Sequence, residues 1–377
     1  MSNLTLLIET SIGDQTAKNR IALAPLTRGR CGREQVPNDA SRDYYVQRST
    51  AGLVITEATV ISKGGNGWAG AAACYTPEQM EGWKKVCDAV HAQDAKNIIY
   101  LQLWHMGRTT HSCFHGLQPV SASDVAAEGQ VTDYDLSKKK YEVPRPLEVS
   151  EIPGIVEEYR HAASLAKEAG MDGVEVHAAN GYLLDQFLQS CSNKRTDDYG
   201  GSVENRFRLL KEVLEAVKTV FPSTRIGVRL SPNGAFNTMG SEDNWELFTY
   251  VISELNKLNL AYVHVMDGLG FGFHAKCKQM KLADVRKLFD GVIIGNCGYE
   301  KLTAEGAINT GAADMIAFGR PYIANPDLPA RFANDWPLAE GNMETWWMYP
   351  GFPEGDPNVG YTDYPEHSEG GDYGAEV

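Results

Sequence analysis

The 377-residue chain predicts an eight-stranded parallel (β/α)8 TIM barrel with a long lid insertion after its third strand. Three observations carry that expectation. Short runs rich in Val, Ile, Leu and Ala alternate with longer stretches of helical period. The runs are apolar almost throughout, as strands buried on both faces read. Eight such strand–helix pairs can be counted, the number an α/β barrel needs. An open doubly wound sheet is the competing architecture, but no Gly-x-Gly-x-x-Gly follows the first run.

The predicted strands are 20–27 (RIALAPLT), 53–61 (LVITEATVI), 97–104 (NIIYLQLW), 172–178 (DGVEVHA), 225–231 (RIGVRLS), 260–266 (LAYVHVM), 291–296 (GVIIGN) and 314–319 (DMIAFG). Helical patterns cover 40–51, 77–92, 151–169, 203–219, 242–258, 281–289, 299–309 and 322–333. Thr76-Pro77-Glu78 has the N-cap and first-turn proline of a helix start, and Gly170 stands where a helix stop calls for glycine. The stretch 107–150, including Lys138-Lys139-Lys140, has little periodicity, which predicts a functional lid or a disordered insert. Residues 1–365 read as one domain, and the acidic, glycine-rich 366–377 as a disordered tail.

Composition narrows the function classes. Asp and Glu number 49 against 35 Lys and Arg, a net charge of −14, which argues against nucleic acid as the main partner. No run of about 18 apolar residues occurs, so no membrane span is expected. MSNLTLLIETSIGDQ lacks the basic region of a secretory leader. Seven cysteines without a C-x-x-C pair read as reduced thiols, and the expected location is cytoplasmic.

In such a barrel the chemistry gathers at the C-terminal ends of the strands. Polar residues collect there: Thr27-Arg28, Glu57-Ala58-Thr59, Gln102 with Trp104 and His105, His177 with Asn180 and Tyr182, Arg229, Gly295-Asn296, and Gly319-Arg320. Arg320 beside Gly319 suits one phosphate; a solvated arginine at a helix start is the alternative. His177 and Asn180 can both donate to one substrate oxygen, polarising a carbonyl or nitro group. Tyr182, a phenol protonated at neutral pH, can then protonate a carbanion. The alternative has His177 capping a helix near Leu183, with Tyr182 packed.

Weaker features read as structural. His111-Ser-Cys113-Phe-His115 has metal-like residue types but no fourth ligand, so no metal is expected. Cys191 and Cys297 have no evident partner base. Glu57 and Glu175 are the only acids at strand ends, which disfavours a phosphate-binding aldolase or isomerase; Glu175 reads as a core-layer residue.

The stretch 174–210, VEVHAANGYLLDQFLQSCSNKRTDDYGGSVENRFRLL, resembles the old yellow enzyme family of flavin ene-reductases. So do APLTR at 24–28, EAT at 57–59, LQLWHMGR at 101–108, RLSP at 229–232, FGRPYIANPDL at 318–328 and the closing GYTDYP, all in family order. The WHMGR form is similar to the plant oxophytodienoate reductases and their bacterial relatives. The resemblance implies one non-covalent FMN at the barrel mouth and NADPH as reductant. By it, Thr27 would bond the flavin carbonyl beside the reactive nitrogen, while Pro25, Leu26 and Ala58 line the ring. Gln102 and Arg229 would meet the pyrimidine end, and Gly295, Asn296, Gly319 and Arg320 the phosphate. His177 and Asn180 would bind the oxygen of an enone or nitroalkene, with Tyr182 as proton donor. Trp104, Trp68, Trp346 and Trp347 would wall the substrate pocket. Trp68 and the Trp346-Trp347 pair depart from the smaller aromatics usual in the family, so the substrate range is open. A non-catalytic flavin binder is the remaining alternative, and the assembly is expected to be a monomer or homodimer.

Overall fold

The computed structural model describes residues 4–268 and 272–368. Eight parallel strands close into a barrel: β1 (Ile21–Leu23), β2 (Leu53–Val60), β3 (Ile99–Trp104), β4 (Gly173–Ala178), β5 (Ile226–Leu230), β6 (Tyr262–Met266), β7 (Ile293–Asn296) and β8 (Met315–Phe318), with β8 pairing back onto β1. The helices that follow the strands are α1 (Asp39–Gln47), α2 (Pro77–Gln93), α3 (Ile152–Glu168), α4 (Val203–Lys218), α5 (Asn244–Asn256), α6 (Leu282–Arg286), α7 (Lys301–Asn309) and α8 (Arg320–Ala324), and a short additional helix, Leu183–Leu188, lies between β4 and α4. All eight expected strands form, and each is buried along its whole length, which is why none alternates in polarity.

Local chemistry sets the helix ends. Thr76 and Gln79 make a reciprocal capping box around Pro77 at the start of α2. Gly170, at φ +91°, follows α3 in the left-handed conformation that glycine adopts without steric cost. The expected helix at 322–333 is two: α8 and a second helix, Leu328–Asn334, separated at Asn325. Pro326 disfavours helical backbone in the residue before it.

The first strand is shorter than its apolar run. The Ala24 N–H still bonds the Phe318 carbonyl at 3.0 Å, but Pro25 has no N–H with which to continue the ladder. Residues 24–30 therefore leave the sheet and edge the barrel mouth.

The opposite end is plugged. A hairpin of Thr10–Ile12 and Gln15–Ala17 brings Ile12 and Ala17 into one apolar cluster with Ala22, Leu53, Tyr100 and Tyr262. Two glycines make room for those tyrosines: a Cβ on Gly173 would lie 2.3 Å from the Tyr100 ring, and one on Gly227 2.2 Å from Tyr262. The barrel interior is thus packed below and open to chemistry only at the strand C-termini.

The insertion at 107–150 carries an antiparallel hairpin, Gln130–Thr132 with Lys138–Lys140, and a parallel pair, Val120–Ser121 with Arg145–Pro146. Arg108 ties it to the loop after β5, donating to the carbonyls of Val125 at 3.0 Å and Asn237 at 3.1 Å. Of the expected C-terminal tail, residues 369–377 lie outside the described residues. His367 is docked: its N–H bonds Asp327 at 2.8 Å and its ring stacks on Trp336.

Candidate active site

His177, Asn180 and Tyr182 leave β4 in a tight turn whose backbone is pinned on every side. Asn180 and Gly181 have φ of +60° and +73°, a conformation that asparagine and glycine tolerate best. The Asn180 N–H bonds Ser231 Oγ at 2.8 Å and its carbonyl accepts from Asn237 Nδ2 at 2.8 Å. The Gly181 N–H bonds Asp185 Oδ2 at 2.8 Å and its carbonyl accepts from Gln186 Nε2 at 2.7 Å. The turn folds Tyr182 back onto the strand end. Its ring meets His177 edge-on at 5.0 Å between centroids and Trp104 edge-on at 4.9 Å.

The protonation states follow from burial. His177 Nδ1 accepts from the Ala179 N–H at 3.3 Å, so the neutral ring carries its proton on Nε2, as a donor. Burial first, then Arg229 and His264, hold His177 well below the usual imidazole range. Burial raises the Tyr182 phenol above its ordinary value. Imidazole and phenol therefore both stay neutral and both keep a proton to donate. The rate of enone reduction is expected to be level from about pH 6 to about pH 9. A stopped-flow profile with an imidazole-like limb in that window, absent from His177→Asn, would contradict this.

A polar layer lies directly beneath. Glu175 sits two residues before His177 on the same face of β4. It accepts from Gln102 Nε2 at 2.6 Å and pairs with His264 Nδ1 at 2.8 Å, and none of the three groups reaches solvent. Because a carboxylate only accepts, Gln102 must present its amide oxygen elsewhere. That oxygen is buried with no hydrogen-bond partner among the described residues, and so is Arg229 Nε. Arg229 spends Nη2 on Asn296 Oδ1 at 2.7 Å. An unpaired buried acceptor and donor are costly unless a ligand completes them. A flavin pyrimidine ring offers the complement, an N–H donor and carbonyl acceptors, so these residues fit FMN.

The remaining expected contacts sort by what their side chains touch. Pro25 is buried and Leu26 half-buried, next to Gly319, where a Cβ would stand 3.2 Å from Leu26 Cδ2. Thr27 is half-buried; the peptide after it is held by Glu57, whose Oε2 accepts the Arg28 N–H at 3.3 Å. Ala58 packs in one cluster with Trp104, Met106 and Tyr182, with Trp68 against it. Asn296 turns its side chain to the protein, donating to the Ala317 carbonyl at 2.8 Å while accepting from Arg229. Gly295 is small for packing: a Cβ there would meet Leu282 at 2.8 Å. Arg320 is exposed, with its guanidinium 5.4 Å from the centre of the Trp346 ring.

A cavity of about 310 Å³ is walled by Trp68, Met106, Val131, Tyr141, Trp347 and Met348 with the polar Gln130, Thr132 and Glu344. It adjoins the Tyr182 cluster through Met106 and Trp68, while His177, Asn180 and Tyr182 are not among its walls. Trp68 and Trp347 line it as expected, whereas Trp104 meets Tyr182 edge-on and Trp346 offers its ring to the Arg320 guanidinium. Val131 and Tyr141 come from the insertion, which makes that segment a wall of the site. The sequence reading did not single out Tyr141, Met106, or the Glu175–His264 pair as a unit. The two-residue alternation that puts Glu175 beneath His177 was the available signal.

Residues 9–339 match the profile of the NADH:flavin oxidoreductase / NADH oxidase family. A putative 12-oxophytodienoate reductase 11 of Oryza sativa subsp. japonica is 39% identical, across 97% of this chain and 98% of the relative. The 12-oxophytodienoate reductase 1 of the same plant is 40% identical, across 96% and 93%. Among solved structures, an old yellow enzyme homologue from Zymomonas mobilis superposes with a TM-score of 0.89 at 44% identity, covering 96% of this chain and 99% of that one. Morphinone reductase superposes at 0.90 with 40% identity, covering 98% of each chain.

Proposed function

The chain belongs to the NADH:flavin oxidoreductase / NADH oxidase family, in the old yellow enzyme group of flavin-dependent ene-reductases, and from this premise we propose that it reduces the activated C=C bond of α,β-unsaturated carbonyl or nitro compounds with NADPH, using a non-covalent FMN. The observation that carries the reading is the gathering of complementary groups at one mouth. An imidazole donor and a phenol sit edge to edge, level with the orphaned Arg229 nitrogen on the neighbouring strand and one layer above the orphaned Gln102 amide oxygen.

Pro25, Leu26, Thr27, Ala58, Gln102, Arg229, Gly295, Asn296, Gly319 and Arg320 would hold FMN, which when bound would supply hydride chemistry between NADPH and the substrate β-carbon. His177 Nε2–H and the Asn180 carboxamide grip the substrate oxygen, drawing electron density from the β-carbon. The Ala179 N–H orients the His177 ring and the pinned backbone places Asn180 before substrate arrives, so little reorganisation is needed. Tyr182 delivers its proton to the α-carbon. One mouth serves nicotinamide and enone in turn, which gives ping-pong kinetics. The aromatic walls Trp68, Tyr141 and Trp347 of the adjoining cavity suit a bulky apolar substituent on the enone. We read the protein as cytoplasmic, in keeping with seven cysteines among which no C-x-x-C pair occurs, and as a monomer or homodimer.

The deciding measurement is stopped-flow on Tyr182→Phe. NADPH is expected to bleach the yellow variant at the parental rate, and cyclohexenone to reoxidise it on the order of 100-fold more slowly. Equal reoxidation rates would remove Tyr182 from the proton-donor role. A purified chain without yellow colour would remove the flavin.

A further inference from the structure

The Glu175–His264 pair is wholly buried, touches no solvent and takes no part in the steps above. Its neighbours give it a task. Glu175 holds Gln102 at 2.6 Å, and β5 carries Arg229 opposite both His177 on β4 and His264 on β6. The buried charges here are therefore one guanidinium and one carboxylate, with His264 between them. The tautomer of His264 is fixed: its Nδ1 faces the carboxylate as donor at 2.8 Å, and its Nε2 has no partner among the described residues. Burial holds His264 below the usual imidazole range, Glu175 opposing only in part. For Glu175 burial works against the charge, but His264, Arg229 and Gln102 together hold it below the usual carboxylate range.

We propose that Glu175 is a positioning residue that sets the flavin reduction potential: its carboxylate aims Gln102 at the pyrimidine ring and offsets the positive charge of Arg229. The inference rests on the flavin assignment above. Accepting a hydride adds two electrons and one proton, so the flavin gains one net negative charge, concentrated at the pyrimidine end. Arg229 favours that charge and Glu175 disfavours it. Between groups this deeply buried the opposing charges are weakly screened, so removing one of them is felt by the ring.

The test is Glu175→Gln in the FMN-loaded protein, with the potential read by anaerobic equilibration against a redox dye. The substitution keeps the hydrogen bonds, since the new amide accepts from Gln102 and donates to the other tautomer of His264. The ratio of oxidised to reduced FMN dissociation constants should rise at least about tenfold, a shift of about 30 mV to more positive potential for a two-electron couple. The half-reactions should then move oppositely, reduction by NADPH faster and reoxidation by cyclohexenone slower, which a merely loosened fold would not give. Glu175→Asp, which keeps the charge, should stay within about twofold of the parent. If Glu175→Gln does not accumulate, the pair Glu175→Leu with His264→Met replaces the buried partners by apolar groups of similar volume and predicts the same direction. A yellow variant lacking the carboxylate whose ratio is unchanged, or falls, overturns this inference alone. A parent chain that binds no FMN overturns the flavin assignment and this inference with it.

Discussion

Replacing His177 and Asn180 together by alanine is expected to slow flavin reoxidation by an enone on the order of 1,000-fold. The reductive half-reaction, in which no charge builds on a bound oxygen, should fall by less than about tenfold. One preorganised donor to a developing oxyanion is worth roughly 100- to 1,000-fold, and two donors on one oxygen are not additive. The asymmetry between the half-reactions is the informative part. His177 donates because burial and the Arg229 charge keep its ring neutral and because the Ala179 N–H occupies Nδ1. His177→Asn, which keeps a donor at the strand end, should recover part of the loss. Double-mixing stopped-flow separates the two steps. Equal losses in both would mean that the pair positions the turn and does not polarise the substrate.

Arg229→Met is expected to yield a chain that no longer retains FMN through purification and that unfolds more readily, by on the order of 3 kcal/mol. Arg229 touches three parts of the site. It donates to Asn296 Oδ1, has a buried Nε with no partner among the described residues, and sits near the buried Glu175 carboxylate. Methionine fills much of the volume but leaves Asn296 short of a donor and Glu175 short of a compensating charge. Hydrogen bonds to a charged group contribute about 1.5–3 kcal/mol, so losing one to the pyrimidine ring alone weakens FMN at least about tenfold. Flavin fluorescence released on dilution and a thermal melt with and without added FMN report the two effects separately. A variant that stays yellow with the parental affinity would show that Arg229 does not face the ring.

The route to both predictions was partly legible in the linear chain. All eight strands were visible as apolar runs because a strand buried on both faces has no polar side to hide. His177, Asn180 and Tyr182 stand out as hydrogen-bond and proton donors at the end of a predicted strand, whereas the left-handed Asn180-Gly181 turn that holds them emerges only in the fold. Boundaries were less legible. β1 ends at Leu23 although apolar residues continue, because Pro25 interrupts the ladder, and the last predicted helix breaks at Asn325 ahead of Pro326.

The amino-acid order by itself determined the barrel, the strand-end location of the chemistry and the residue types at the turn. These depend on local pattern: burial on both faces, alternation along a strand, and the backbone preferences of glycine, asparagine and proline. Only the folded chain decided which groups have partners. Asn296 and Gly295 look equivalent to other mouth residues in sequence, yet one bonds Arg229 and Ala317 and the other is small to admit Leu282. Gln102, Glu175 and His264 lie on three strands spanning more than 150 positions, and only barrel closure brings them into one hydrogen-bonded line. Tyr141 reaches the cavity because the insertion docks through Arg108 on the loop after β5. Pairing across a closed sheet depends on register between distant strands, and no single segment encodes that register.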